Sequence, residues 1–197
     1  MFKDFREYLD YLEKNGKLAR VKKPVNPRFG IAAGIRRTSD IDGPAILFEN
    51  IEGHPGWRVA GGLYATQKLM ALALGLPIDA SEDQILQKYL ECDDKCVKPK
   101  LVKTGPVKEI VLKGKDIDLT KFPVPTYSEK DAGPYFTSGV EFARHPETRK
   151  GNASIHRRKL LGKSQTALLA PPRQHLAAMI AAAEKKGQGL GIATVMG

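Results

Sequence analysis

Cysteine, long apolar runs and the common nucleotide signatures are all scarce or missing in this 197-residue chain, and each absence excludes something. Its two cysteines, Cys92 and Cys96, form a lone Cys-x3-Cys segment. No neighbouring His or Cys completes a zinc set, so free thiols in a reducing compartment are the simpler reading. No stretch approaches the roughly 18 apolar residues that a membrane span requires. The start, Met1-Phe-Lys-Asp-Phe-Arg-Glu7, is charged and helical in pattern and does not read as a secretory signal, which makes the cytoplasm the expected location. There is no nucleophile elbow, no Walker loop and no Gly-x-Gly-x-x-Gly. Gly187-Gln-Gly-Leu-Gly191 ends a helix before a strand, the wrong order for a dinucleotide fingerprint. Internal repeats and low-complexity segments are also lacking.

The chain does carry a net charge of +10. Its basic residues are scattered through Lys14 to Lys23, Lys95 to Lys108 and Arg149 to Lys163, without a continuous stripe or interleaved aromatics. Nucleic acid is therefore a disfavoured partner, and a solvated basic surface that attracts anionic substrates and a phosphate-bearing cofactor is preferred. Hydrophobic content of 42% with 27% charged residues is that of a soluble globular protein with a core.

Hydrophobic periodicity predicts an amphipathic helix over 4–15, ended by Gly16, and a strand at Leu18–Val21. A helix over Gly30–Ser39, strands at Ala45–Phe48 and Trp57–Ala60 and an apolar helix over Thr66–Leu74 follow. Ser81-Glu-Asp-Gln84 reads as a capping box opening a helix to about Leu90. The basic, proline-bearing segment from Cys92 to Val107 reads as a linker, giving an N-terminal α/β domain over 1–97 and a β-rich domain over 98–197. In the latter a strand is expected at Lys108–Leu112. Asp116 to Pro125 should be irregular because prolines break a ladder. Strands at 136–144, 152–161 and 166–170, a helix over Arg173–Lys186 and a last strand over Gly191–Met196 complete the reading. That last strand looks buried, an expectation that the fold continues beyond it.

The chemistry gathers late in the chain. Two strands, Phe136–Arg144 and one starting at Asn152, flank a polar turn, and Arg173-Gln-His175 opens the last helix. Asn152, Ser154, Arg157 and His175 thus come within plausible reach of one another, a set suited to an anion, a metal or both. Asn152 reads equally as the end of a hairpin turn. His175 reads equally as a capping or surface residue, and Arg157 as a surface arginine on an edge strand. Strand alternation puts Ile155 and Arg157 on one face and Ser154, His156 and Arg158 on the other.

The ordered series Phe122-Pro-Val-Pro-Thr126, Asp131-Ala-Gly-Pro-Tyr135, Thr137-Ser-Gly139, Asn152-Ala-Ser-Ile-His-Arg157 and Gln174-His175 resembles the UbiD family of reversible decarboxylases. The first helix, Gly43 to Asn50 and Gly53-His54 fit as well, so the resemblance runs along the whole chain. It implies an α/β (α+β) fold in which the second domain is a split-barrel, flavin-reductase-like unit. Its cofactors would be prenylated flavin mononucleotide with Mn2+ or Mg2+, with K+ as an optional companion. The implied reaction is reversible, non-oxidative decarboxylation of an aromatic or α,β-unsaturated carboxylic acid.

By that resemblance Arg157 is the catalytic residue orienting the carboxylate. Thr137, Asn152, Ser154, Ile155, Arg157 and Gln174 contact the cofactor, and Asn152 and His175 ligate the metal at its phosphate. Oxygen-rich coordination suits such hard cations. His156 and Arg158 are read as structural or peripheral. The family's catalytic glutamates and third metal ligand would lie beyond residue 197, since UbiD-like proteins are more than twice this length. The chain alone is therefore expected to be inactive without a complementary part. A flavin prenyltransferase is implied as cofactor supplier, and a homo-oligomer or complementary subunit as the assembly. The competing reading is a non-catalytic flavin- or phosphate-binding module, and a basic nucleic-acid-binding domain is the third.

Overall fold

The computed structural model describes residues 2–95 and 97–196, and these divide into two compact units, Met1–Ile117 and Asp118–Gly197. Each has mixed helix and strand content with small open sheets, the α/β (α+β) class expected.

In the first unit α1 (Phe5–Lys14) is opened by Asp4, whose carboxylate accepts from the Glu7 amide, and Gly16 follows it at φ 64°. A three-stranded sheet runs β1 (Leu18–Val21), β2 (Ala45–Phe48), β3 (Val59–Gly61), with β1 parallel and β3 antiparallel to β2. All four residues of β2 are buried because helices cover both faces. Ala45 packs with Tyr8 and Leu12 of α1 and with Leu69 and Leu72 of α3 (Gln67–Ala73), while Ile46 and Phe48 pack with Ile31 of α2 (Gly30–Asp40). Gly34 of α2 admits the Phe48 ring: a Cβ there would lie 2.8 Å from it. Helix α4 (Glu82–Asp93) begins with the expected capping box, Ser81 Oγ accepting from the Gln84 amide at 3.3 Å and Gln84 Oε1 from the Ser81 amide at 2.8 Å. Cys92 is a free thiol; Cys96 lies outside the described residues.

The strand expected at Lys108–Leu112 does not form. Pro106–Lys108 makes a single 3-10 turn, and Ile110, Val111 and Leu112 are exposed. The apolar run has no partner strand among the described residues, and propensity alone does not hold an extended ladder.

In the second unit Leu119–Lys121 forms one 3-10 turn, and the proline-bearing residues after it, to 134, belong to no named strand or helix. One sheet has the order β4 (Tyr135–Phe136), β7 (Arg158–Leu160), β8 (Thr166–Leu168); the other has β6 (Gly151–Ile155), β5 (Val140–Arg144), β9 (Ile192–Val195), and every pairing is antiparallel. Helix α5 (His175–Glu184) rests against β5 and β6, burying Leu176 and Met179 with Ala143. The two long strands predicted at 136–144 and 152–161 are each broken in two, because each leaves one sheet and enters the other. Strand β9 is also less buried than its composition suggested: it pairs only with β5, and Ile192 alone of its residues is half-buried. Among the described residues no helix is long and apolar enough to cross a membrane.

Candidate functional site

The two strand breaks lie opposite one another. Phe136 pairs with Arg158 and Val140 with Ile155, so the three residues Thr137, Ser138 and Gly139 face only two, His156 and Arg157. One extra residue on one strand is the geometry of a β-bulge, a device that bends strands and re-aims side chains. Thr137 and Arg157 thus lie in the two facing strand breaks. Gly139 is needed there because a Cβ would come within 2.9 Å of Thr194 Cγ2 on β9. The extra residue sits in the 136–140 stretch, so alternation along 152–158 survives the corner.

That alternation sorts the predicted residues onto two faces. Asn152 and Ser154 are half-buried and His156 is buried, whereas Ile155 (70% exposed) and Arg157 point to solvent. Inward, the side chains form a connected chain. Asn152 Nδ2 donates to Ser154 Oγ at 3.1 Å, His156 Nε2 lies 3.1 Å from the same Oγ, and His156 Nδ1 lies 3.3 Å from the Leu169 carbonyl oxygen. Beside them Glu141, fully buried, takes both arms of the Arg158 guanidinium at 2.6 and 2.8 Å and a hydroxyl from Thr194 at 2.7 Å, while Arg158 also donates to Thr166. Burial alone would raise the Glu141 carboxyl; the Arg158 fork and the Thr194 hydroxyl outweigh it and hold it below the usual carboxylate range. Arg158 thereby ties β7 to β5 across the corner, a structural role as expected.

Arg157 stands in contrast. Its guanidinium lies 4.9 Å from the centre of the Tyr135 ring and 4.0 Å from Asp131 Oδ1. With the side chain 62% exposed, neither contact holds it strongly. Asp131 and Tyr135 went unrecognised as its partners, although both belong to the quoted Asp131-Ala-Gly-Pro-Tyr135 motif. Thr137 Oγ1 is 2.7 Å from the Tyr127 hydroxyl, a second missed partner; burial pushes that phenol up, and the Thr137 bond offsets this only in part.

Gln174 is the residue before α5 and makes no side-chain capping bond; His175 is the first residue of the helix, and both are exposed. Neither is hydrogen-bonded to Asn152, Ser154 or Arg157. As a test of fit for a hard cation, Asn152 Oδ1 accepts no hydrogen bond among the described residues, leaving an amide oxygen of the right chemistry. No group of three or more His, Cys, Asp or Glu suited to a metal exists among the described residues. The candidate donors named from the sequence are thus an amide oxygen and an imidazole, a pair that would need further oxygen ligands to complete a hard cation's shell. A wide groove of about 1160 Å3 runs along the β5–β6 hairpin and the 188–191 loop, touching Arg144, Arg149 and Asn152. Of the seven predicted residues Asn152 alone lines it, so the groove and the corner are different places.

The corner between the two open sheets presents one loosely held guanidinium, Arg157, on its exposed face, while the Asn152 amide belongs to the opposite, half-buried face. Residues 9–89 match the 3-octaprenyl-4-hydroxybenzoate carboxy-lyase N-terminal domain, and residues 100–197 match the Rift-related domain of the same carboxy-lyase. The chain belongs to the UbiD family. It is 32% identical over 193 residues to the anhydromevalonate phosphate decarboxylase of Methanosarcina mazei, covering 98% of this chain and 42% of that protein. Among solved structures, vanillic acid decarboxylase from Sedimentibacter hydroxybenzoicus in its closed form superposes with a TM-score of 0.94 at 30% identity, covering all of this chain and 43% of that one. The UbiD-class enzyme HmfF from Pelotomaculum thermopropionicum, in complex with FMN, gives 0.87 at 37% identity, covering 98% of this chain and 42% of that one. The chain spans about two fifths of the length of these relatives.

Proposed function

We propose that this chain supplies the cofactor-binding and carboxylate-binding part of a prenylated-FMN-dependent decarboxylase. Its substrate class is an aromatic or α,β-unsaturated carboxylic acid, and the reaction is reversible and non-oxidative. The observation that carries the reading is Arg157: a guanidinium set at a bulged corner, facing solvent, with only a ring face and a distant carboxylate beside it. Such a fork binds a carboxylate or phosphate in two parallel hydrogen bonds without first having to break a strong pair.

When bound, the modified flavin supplies the electron sink for loss of carbon dioxide. The chain's residues do the positioning. Arg157 orients the carboxylate, Ile155 offers apolar surface to the ring system, and Thr137, Ser154 and Gln174 hydrogen-bond the cofactor. Asn152 through Oδ1 and His175 through a ring nitrogen would hold Mn2+ or Mg2+; K+ is a further candidate cation. The chain works in the cytoplasm with flavin from a prenyltransferase, as a homo-oligomer or beside a complementary subunit. Residues 1–97 and 98–197 act as its two domains, a division supported by the family matches at 9–89 and 100–197, although the compact units of the fold meet twenty residues later, at 117/118.

Glu141 favours a second reading, a flavin- or phosphate-binding module without turnover of its own. It is fully buried, ionised and engaged by Arg158 and Thr194, so it has no proton to deliver. Both readings are tested by adding prenylated FMN and Mn2+ to the chain, with and without a C-terminal complementary polypeptide. Decarboxylation only with the complement supports the main proposal. Binding with no turnover in either case supports the module, turnover by the chain alone overturns the expected inactivity, and no flavin binding in either case overturns both.

A further inference from the structure

We propose that His156 is a positioning residue that fixes which end of the Asn152 amide faces the ligand. The inference deepens the reading of Asn152 as a cation ligand and rests on it. The oxygen and nitrogen of an amide are nearly isosteric, so orientation must be argued from the hydrogen-bond network. Here the network has one end that cannot reverse. The Leu169 carbonyl oxygen can only accept, so His156 Nδ1, at 3.3 Å, carries the proton. In the uncharged ring Nε2 is then a lone-pair acceptor, and the Ser154 hydroxyl 3.1 Å away must donate to it.

With its single hydrogen committed, Ser154 Oγ can only accept from its third neighbour. The Asn152 group 3.1 Å away must therefore be the NH2, and Oδ1 points away from the chain. The alternative orientation sets two oxygen acceptors against each other with no proton between them. His156 is only 7% exposed, so water is poorly placed to replace it. The backbone carbonyl of Leu169, the residue after β8 and thirteen beyond His156, thus determines that an oxygen rather than an amino group is offered to a hard cation. The strand break fits this role: the corner at 156–157 carries His156 out of β6 and lets its ring reach Leu169.

Two measurements on the full chain test the proposal. In long-range 1H–15N spectra of 15N-histidine-labelled protein, with the resonance assigned by loss in His156→Leu, His156 is expected as the Nδ1-protonated tautomer. An Nε2-protonated or rapidly exchanging ring overturns the relay. In EPR titrations of Mn2+ in the presence of FMN, His156→Leu and Ser154→Ala are expected to bind about ten- to a hundredfold more weakly than the unaltered chain. His156→Gln, whose amide can donate to Leu169 and accept from Ser154, is expected to recover most of that loss. Unchanged affinity in folded His156→Leu, or equal losses in the Gln and Leu variants, overturns the proposal. If the unaltered chain binds no Mn2+, the ligand role of Asn152 fails, and the tautomer still decides the relay by itself.

Discussion

The two faces of the β6-β5-β9 sheet are built on opposite terms. On the inner face two separate networks, Asn152–Ser154–His156 and Arg158–Glu141–Thr194, are bonded over distances of 2.6–3.1 Å. On the outer face Phe142, Ile155 and Val195 are exposed apolar side chains, and Arg157 has only weak partners. Residues one apart in sequence therefore play different parts. The inner set is held by its own hydrogen bonds, while the outer set lacks strong partners. One face is thus a cross-bonded wall and the other an adaptable surface, the division expected where function sits on a well-supported scaffold.

Substitutions that cross this division should have unequal effects. The largest is expected from Arg158→Ala, which leaves the Glu141 carboxylate buried without its cation and should cost about 3–5 kcal/mol in denaturant unfolding. Thr194→Val removes one hydrogen bond to the same carboxylate and should cost roughly 1.5 kcal/mol by the same measurement. Equal losses from the two would show that Glu141 is not held mainly by the guanidinium.

Acid is the next probe. The Glu141 carboxyl is depressed in the folded chain, so its stabilising contribution is complete above the ordinary value of 4.5 and is lost as pH falls through the lower folded value. Unfolding followed by circular dichroism below about pH 5 should therefore show an acid-side slope that shrinks in Glu141→Gln. An unchanged slope would assign the acid sensitivity elsewhere.

The smallest stability effect belongs to the outer face. Ile155→Ala should change unfolding by no more than about 0.5 kcal/mol. At about 0.8 kcal/mol per buried CH2, it should weaken flavin binding roughly tenfold or more in a fluorescence-quenching titration. A large stability loss with unaltered flavin binding would mean that the outer face is structural and the comparison is drawn the wrong way round.

Much of this was legible from residue order. Alternation over 152–158 assigned both faces correctly, and the Ser81 capping box, the Gly16 stop and the Ala45–Phe48 core strand follow from local chemistry that the fold leaves intact. The corner was hardly legible. Phe136 to Arg144 and Asn152 to Leu161 each read as one strand, and the one local cue to the break, Gly139 inside an apolar pattern, was passed over. Partners distant in sequence were also hidden: nothing local marks Leu169 as the acceptor for His156, or Glu141 as the counterion of Arg158. The exposed Lys108–Leu112 run shows the reverse error, a strand pattern with no neighbouring strand to satisfy it. The pairing of Arg157 with Asp131 and Tyr135 lay within quoted motifs, yet needed coordinates to become a contact.

Anomalous diffraction from crystals of the chain grown with FMN and Mn2+ tests the central claim most directly. The account requires a manganese peak within coordination distance of Asn152 Oδ1 and a His175 ring nitrogen, next to the flavin phosphate, with Arg157 turned toward the ring. Flavin bound elsewhere, or manganese touching neither Asn152 nor His175, would contradict it.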